Sequence, residues 1–123
     1  MAQVIDGDTI EVDTPDGRQK VRILRIDTPE RGEPGYGEAS RALRELLPRG
    51  GPVRLEFEGR REDPYGRTLA YVHVEGRNVS VEMVRQGWSP FDRRFGVGRY
   101  RRDLDRAERE ARDAGRGMWR SDR

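Results

Sequence analysis

The chain has 123 residues, of which 33% are hydrophobic and 39% are charged, and its formal net charge at pH 7 is +2. This length suits a single domain, residues 1–123, with a small core, and the near-balanced charge argues against a disordered chain. The sequence contains no cysteine, which excludes disulfides and thiolate metal sites.

The basic side chains and the hydropathy pattern indicate which kinds of partner the chain can bind. Of the 25 basic residues only Lys20 is a lysine, and the pI of about 9.4 permits a polyanionic partner. No apolar run approaches the roughly 18 residues that would span a membrane, and no charged-then-apolar leader opens the chain. We therefore expect no membrane association, and either a cytoplasmic protein or a secreted one trimmed to its mature domain.

The first part of the chain predicts three short strands. Residues 2–5 and 8–12 are strand-like and are interrupted at Asp6-Gly7, and residues 19–26 carry a further apolar alternation. The Thr-Pro-Asp-Gly sequence at 14–17 is typical of a hairpin turn. In such a turn the proline presets φ, the aspartate caps its own backbone and the glycine takes a positive φ.

A helix and a half-buried strand are predicted next. Residues 36–47 have the spacing of an amphipathic helix, which Pro48 and the following glycine pair should stop. Its apolar face comprises Ala39, Ala42, Leu43, Leu46 and Leu47. Residues 53–57 alternate strictly between apolar and polar, as a half-buried strand does.

The remaining elements are a covered strand and two helices. Residues 68–74 are apolar at nearly every position, which is typical of a strand covered on both faces. Asn78 is a plausible N-cap of a short helix that stops at Gly87. Residues 100–114 place an apolar stripe on one helical face, and Gly115 should end that helix.

The order of these elements indicates the fold class. Strands that do not alternate regularly with helices argue against a parallel α/β sheet and favour a small antiparallel barrel with added helices. We therefore predict an α+β fold, mainly a β-barrel, and an OB-type barrel is one such solution.

Side chains with catalytic and binding chemistry gather at three strand ends. They are Asp6 and Asp8; Asp27, Thr28 and Glu30, after the strand that carries Arg22; and Asp63, Tyr65 and Arg67. Each cluster taken alone is more typical of a turn, a loop or a solvated strand face. Taken together, oxygen ligands without His or Cys suit Ca²⁺ or Mg²⁺, paired arginines suit a phosphate, and a further carboxylate could act as a general base on water.

Six segments carry a family resemblance that covers nearly the whole chain. They are VIDGDTIEV, VRILRIDTPE, YGEAS, DPYGRTLAYVHVEG, VEMVRQGW and RGMW. In their order and spacing they resemble the thermonuclease (staphylococcal nuclease) family. The resemblance implies a five-stranded OB-fold barrel with three α-helices that binds Ca²⁺. It also implies hydrolysis of DNA and RNA at the P–O5′ bond, leaving 3′-phosphate and 5′-hydroxyl ends.

The same resemblance implies a metal site. Asp8 and Asp27 are expected to supply carboxylates to Ca²⁺, and Thr28 its backbone carbonyl. Asp6 stands nearby as an outer carboxylate.

The resemblance also implies the residues that act on the substrate. Glu30 resembles the residue proposed to activate the attacking water, and Arg22 and Arg67 resemble the pair that grips the phosphate. Tyr65 resembles a tyrosine that hydrogen-bonds a neighbouring phosphate, and Asp63 beside it is also assigned to substrate binding.

The chain departs from the family pattern in two places. Pro64 replaces a basic residue, which removes one phosphate contact. Where the family tends to place tyrosines that stack on base or sugar, this chain offers Phe91, Phe95, Arg93 and Arg94 instead. We expect aromatic stacking to persist there without a phenolic hydrogen bond.

A purely structural or scaffolding domain would leave the paired arginines unexplained, so two functional hypotheses remain at this point. One is a calcium-dependent, monomeric nuclease that acts on DNA and RNA and prefers single strands. The other is a catalytically silent OB-fold module that binds nucleic acid or a protein. The complete set of carboxylates and arginines favours the enzyme, because silent relatives tend to lose members of that set.

Overall fold

The computed structural model describes residues 2–47 and 50–120. Within these residues the chain forms six strands, three α-helices and one short 3-10 helix. In chain order they are β1 (Ala2–Asp6), β2 (Thr9–Thr14), β3 (Gly17–Ile23), α1 (Tyr36–Leu46), β4 (Arg54–Glu56), β5 (Thr68–Val74), β6 (Arg77–Asn78), α2 (Val79–Arg85), α3 (Arg101–Ala114) and the 3-10 helix (Gly117–Trp119). The predicted α+β class is confirmed.

The strands form one mixed sheet. Its order is β1-β2-β3-β5-β4, and β6 pairs with β5. β3 and β5 are parallel, with Val21 opposite Thr68, whereas the other pairs are antiparallel. The parallel pair departs from the predicted antiparallel arrangement, and the long connection through α1 and β4 supplies the crossover that such a pair requires.

The sheet is not closed. β1 and β4 stand at the two ends of the strand order, and no pairing joins them among the described residues. The predicted five-stranded barrel is therefore not confirmed, and the described chain has a sixth strand, β6, at the start of α2.

The hairpin between β2 and β3 forms where the sequence predicts it, with one change in its capping. Gly17 has a positive φ of 109°, as predicted. The capping side chain is Thr14, whose hydroxyl donates to Gly17 O at 2.8 Å and accepts from Asp16 N at 3.1 Å. The threonine takes the role predicted for the aspartate because its hydroxyl can both donate and accept across the turn.

The helix ends follow their sequence signals. Asn78 caps α2, and its Oδ1 accepts from Ser80 N at 2.9 Å and Val81 N at 3.4 Å. Gly115, with φ 64°, is the C-cap of α3. α1 ends at Leu46, and the predicted stop at Pro48 lies outside the described residues.

The core lies between the sheet and the helices. β5 is buried on both faces over its last five residues, as predicted, whereas β4 is shorter than the predicted strand 53–57. The buried face of α3 includes Leu104, Ala107 and Ala111, whereas Ala114 is exposed. In the described part of the chain, no helix has the length and hydrophobicity needed to cross a membrane.

Candidate functional site

A cavity of about 540 Å³ collects most of the residues singled out in the sequence. Four carboxylates and four arginines line it, and we call it the acidic cavity after the carboxylates. It lies where the β1–β2 connection, the loop after β3 and the start of β5 meet. The predicted residues that line it are Asp6, Asp8, Arg22, Asp27, Thr28, Glu30 and Arg67. Residues separated by up to 61 positions in the sequence thus share one wall.

Asp8 is held rigidly at the base of this cavity. Its side chain is largely buried, and its Oδ2 accepts from Thr28 N at 3.1 Å and Thr28 Oγ1 at 3.2 Å. Its Oδ1 accepts from Thr9 Oγ1 at 3.1 Å. These bonds join the β1–β2 connection to the loop after β3, and they fix the direction in which the carboxylate points.

Gly7 makes this close approach possible. A Cβ atom at position 7 would lie 2.5 Å from Thr28 Oγ1 and 2.8 Å from Thr28 Cβ. Only a residue without a side chain lets the Asp6-Gly7-Asp8 turn come this near to Thr28.

Asp6 and Asp8 concentrate negative charge beside each other. Asp6 Oδ1 accepts from the Asp8 amide at 3.1 Å. Burial, followed by the neighbouring Asp8 carboxyl, raises the pKa of Asp6 above its ordinary value. Such a pair of carboxylates attracts a cation.

Arg22 is anchored by the backbone at the end of β3. Its Nη1 donates to Ile23 O at 2.8 Å and to Ile26 O at 2.9 Å. The second carbonyl comes within reach because the chain bends at Arg25, whose φ is 68°. Its Nη2 lies 3.5 Å from Asp8 Oδ2 and 3.6 Å from Asp27 Oδ1, so the guanidinium sits between two carboxylates.

Two residues hold Asp27: Ser89, which the sequence analysis did not name, and Arg94, which it placed among the residues that replace the family's stacking tyrosines. The buried Ser89 hydroxyl accepts from Asp27 N at 2.7 Å. Arg94 Nη2 lies 3.4 Å from Asp27 Oδ2. No local pattern identifies these partners, since they lie more than sixty positions from Asp27, although the charged segment around Arg94 does stand out in the sequence.

Asp63 and Arg67 form a compact turn before β5. Asp63 Oδ1 accepts from Tyr65 N at 2.9 Å and Arg67 N at 2.8 Å, and its Oδ2 accepts from Arg67 Nε at 2.7 Å. Burial alone would raise the pKa of Asp63, but these hydrogen bonds outweigh it and lower that pKa. Asp63 therefore orients Arg67, in addition to the substrate contact predicted for it.

A second cavity of about 780 Å³ lies beyond the arginines. Arg22, Arg67 and Arg94 line both cavities, and Asp63 and Tyr65 line the larger one. Tyr65 and Phe95 in that cavity are 85% and 80% exposed. Single-stranded nucleic acid stacks its bases on exposed aromatic rings of this kind.

Phe91 does not contribute to that surface. Only 3% of it is exposed, because it packs in the hydrophobic core. The Cζ atom of Arg93 lies 4.2 Å from the Phe91 ring centroid, and Arg93 Nη2 lies 2.6 Å from Asp105 Oδ1. Phe95 is therefore the exposed ring of this segment, and the prediction that Phe91 is available for stacking is wrong.

The oxygen ligands in the acidic cavity suit a hard divalent cation. They do not, however, form a cluster of three carboxylates in the described residues. Across residues 2–47 and 50–120, no group of three or more His, Cys, Asp or Glu side chains is arranged to hold a metal ion. The guanidinium of Arg22 separates Asp8 from Asp27. The carboxylates themselves are the ligand type that Ca²⁺ and Mg²⁺ prefer.

Comparison with known proteins finds one matching family model and several relatives that are named as nucleases. A family model described as "Staphylococcal nuclease homologue" matches residues 20–121. The chain is 32% identical over 122 residues to the thermonuclease of Staphylococcus intermedius, which covers 95% of this chain and 73% of that protein. It is 44% identical over 92 residues to endonuclease YncB of Bacillus subtilis, which covers 69% of this chain and 43% of that protein.

A second Bacillus subtilis protein, the SPbeta prophage-derived endonuclease YokF, is also 44% identical over 92 residues. That match covers 69% of this chain and 31% of the relative. The chain thus spans less than half of the length of the two Bacillus endonucleases that it matches.

Proposed function

Because the chain belongs to the staphylococcal nuclease family, we propose that it is a calcium-dependent nuclease that hydrolyses phosphodiester bonds of DNA and RNA. The observation that carries the proposal is the acidic cavity, in which Arg22 and Arg67 share one wall with Glu30 and Asp27. In that combination two guanidinium groups can bind a phosphate, and a carboxylate can accept a proton from a water molecule.

The two arginines neutralise charge on the phosphate in this proposal. The negative charge on the equatorial oxygens of a phosphodiester grows as water attacks, and guanidinium groups that are already oriented stabilise it without reorganising. Arg22 is oriented by two backbone carbonyls, and Arg67 is oriented by Asp63. Asp63 acts in this way as a positioning residue, and its predicted contact with the substrate remains a prediction.

Glu30 is the proposed general base. Its side chain is exposed in the wall of the cavity, and its backbone N donates to Glu33 Oε1 at 2.7 Å, which fixes the local loop. A carboxylate at this place can accept a proton from the attacking water. The water oxygen bonds to phosphorus as the P–O5′ bond breaks, and the leaving 5′ oxygen takes a proton from solvent water, so the ends are a 3′-phosphate and a 5′-hydroxyl.

The calcium ligands in this proposal are Asp8, Asp27 and the Thr28 backbone carbonyl, with Asp6 in the outer shell. Bound Ca²⁺ supplies Lewis-acid polarisation of the phosphate and further charge neutralisation. The hydrogen bonds from Thr28 to Asp8 hold the carboxylate in place for this task. Asp6 and Asp8 supply the concentrated negative charge that favours a cation at this end of the cavity.

The proposed substrate is a single strand, and the proposed active unit is a monomer formed by one domain, residues 1–123. The exposed rings of Tyr65 and Phe95 favour unpaired bases, because a base inside a duplex cannot stack on a side chain. Tyr65 is also the proposed hydrogen-bond donor to a neighbouring phosphate.

Cleavage of end-labelled single-stranded DNA tests the proposal. Wild-type protein is assayed with Ca²⁺ and with EDTA, and Glu30→Gln is assayed with Ca²⁺. Glu38→Gln is the matched control, because Glu38 is exposed on α1 and lines neither cavity. We expect cutting with Ca²⁺ that ceases in EDTA and falls by about 10²–10⁴-fold in Glu30→Gln, with 3′-phosphate ends and an unaffected Glu38→Gln.

Two results would reverse this assignment. Binding of the labelled strand without any cutting would identify the chain as a silent recognition module. Cutting that is equally fast in Glu30→Gln would remove Glu30 from the role of general base.

A further inference from the structure

We propose that Arg94 is a third phosphate-binding arginine, which takes a backbone phosphate of the substrate beside the one bound by Arg22 and Arg67. This inference rests on the proposed function, since it concerns the same nucleic-acid strand. It assigns to the loop between α2 and α3 a role in holding the phosphate backbone, where the sequence indicated stacking.

The first argument is location. Arg94 lines the acidic cavity and the larger aromatic cavity, as Arg22 and Arg67 do. A strand that has one phosphate in the acidic cavity and bases on Tyr65 or Phe95 must pass this row of three arginines. Its backbone carries one negative charge per nucleotide, so an arginine in the row meets a phosphate.

The second argument is orientation. Asp92 grips one edge of the Arg94 guanidinium, with its Oδ1 2.9 Å from Nε and its Oδ2 2.9 Å from Nη2. The Asp92 side chain is only 8% exposed, and its backbone N donates to Arg25 O at 2.9 Å, so the grip is itself anchored. Within residues 2–47 and 50–120, no partner is bound to Arg94 Nη1.

The third argument is what faces the guanidinium from the other side. Arg94 Nη2 lies 3.4 Å from Asp27 Oδ2, at the mouth of the acidic cavity, and the side chain is 58% exposed. The guanidinium is therefore held at the entrance, charged and accessible, and is not enclosed in the fold. A phosphate oxygen can take the free edge without breaking the grip of Asp92.

The neighbouring arginine provides a matched comparison. Arg93 is turned away, and its Nη2 pairs with Asp105 at 2.6 Å and Glu108 at 3.4 Å on α3. It lines neither cavity. Arg93→Ala and Arg94→Ala each remove one positive charge from adjacent positions, so a difference between them in the salt dependence of binding indicates a direct phosphate contact.

The test measures binding of a short fluorescein-labelled oligothymidine by anisotropy, in EDTA, over a range of NaCl concentrations. Each phosphate contact on a single strand contributes about 0.7 to the slope of log K against log salt concentration. We expect Arg94→Ala to lower that slope by about 0.7 and to weaken binding about tenfold. Arg93→Ala should keep the wild-type slope, and Arg94→Lys, which keeps the charge, should recover most of it.

The outcomes separate this inference from the proposed function. Equal slopes and affinities for Arg94→Ala and Arg93→Ala, with both variants folded by urea denaturation, would overturn the role of Arg94. A wild-type chain that binds the oligonucleotide but never cuts would overturn the proposed activity, and the Arg94 comparison would still stand on binding. A wild-type chain that does not bind the oligonucleotide in EDTA would overturn the role of Arg94, and the cleavage assay in Ca²⁺ would still decide the proposed activity.

Discussion

At the scale of single residues, the site is built from side chains whose directions are set before a substrate arrives. Arg22 donates from Nη1 to two backbone carbonyls, and its Nη2 lies between the carboxylates of Asp8 and Asp27. Arg67 is held in the same way by Asp63. This fixed orientation is what makes a guanidinium an effective partner for developing negative charge.

Replacing Arg22 with lysine tests that orientation. One ammonium group cannot bond two carbonyls and present a planar fork to a phosphate at the same time. We expect Arg22→Lys to stay folded and to lose on the order of 10²–10³ in single-turnover cleavage rate. The measurement is cleavage under excess enzyme together with urea unfolding, with Arg41→Lys on the exposed side of α1 as the control. A rate close to that of wild type would contradict the role assigned to Arg22.

At the scale of elements, the β1–β2 connection, the loop after β3 and α1 meet at Gly7. A Cβ there would lie 2.5 Å from Thr28 Oγ1 and 3.0 Å from Ala39 Cβ. Thr28 donates the hydrogen bonds that orient the Asp8 carboxylate. The position of that carboxylate therefore depends on how closely these three segments pack at Gly7.

Gly7→Ala should therefore reduce stability and activity together. The added methyl group must push Thr28 away from Asp8, and overpacking of this kind costs about 1–3 kcal/mol. The free energy of unfolding in urea and the cleavage rate measure the two effects. Gly37→Ala is the control, because Gly37 is exposed in α1 with no atom within 4 Å of an added Cβ, and alanine there should raise stability by about 0.5–1 kcal/mol. Unchanged stability in Gly7→Ala would show that Thr28 can shift freely.

At the scale of the whole molecule, a polar network connects β4 and β5 to the loop that carries Arg94. Glu58 accepts from Tyr71 Oη at 2.6 Å, Arg25 Nη2 at 3.0 Å and Arg99 N at 2.7 Å. Glu56 accepts from Tyr100, and its Oε1 lies 2.7 Å from His73 Nε2. A hydrogen-bonded network of partly buried charged groups holds these segments in one arrangement.

This network makes stability depend on pH. The hydrogen bond from Tyr100 is the main cause that lowers the pKa of Glu56. Burial alone would raise the pKa of Glu58, but its hydrogen bonds outweigh burial and lower it. A carboxyl whose pKa is lower in the folded state stabilises the fold above its unfolded pKa, and that contribution is lost as the pH falls through the folded pKa.

We therefore expect the urea midpoint to fall as the pH is lowered below about 5, near the ordinary pKa of glutamate. Glu58→Gln should flatten part of this decline, since it removes one of the carboxyls that must be protonated. Tyr71→Phe should also flatten it, because it removes a hydrogen bond that lowers the pKa of Glu58 in the folded state. Urea unfolding from pH 7 to strongly acidic pH measures all three proteins, and a Glu58→Gln profile parallel to that of wild type would contradict the assignment.

The sequence by itself determined the local structure and most members of the site. Hydrophobic periodicity located most of the strands and helices, Asn78 and Gly115 marked helix ends, and Gly17 marked a turn. Interactions between near neighbours decide these features, so a short window of sequence carries them. The carboxylates, Arg22 and Arg67 were likewise recognisable from their motifs, and the structure brings them to one cavity.

Only the tertiary structure decided which side chain faces which. It made β3 and β5 parallel, left the sheet open and buried Phe91. It also brought Ser89 and Arg94 to Asp27 across more than sixty residues. Such contacts depend on how elements distant in the chain pack against each other, and no periodicity or spacing within one segment records that packing.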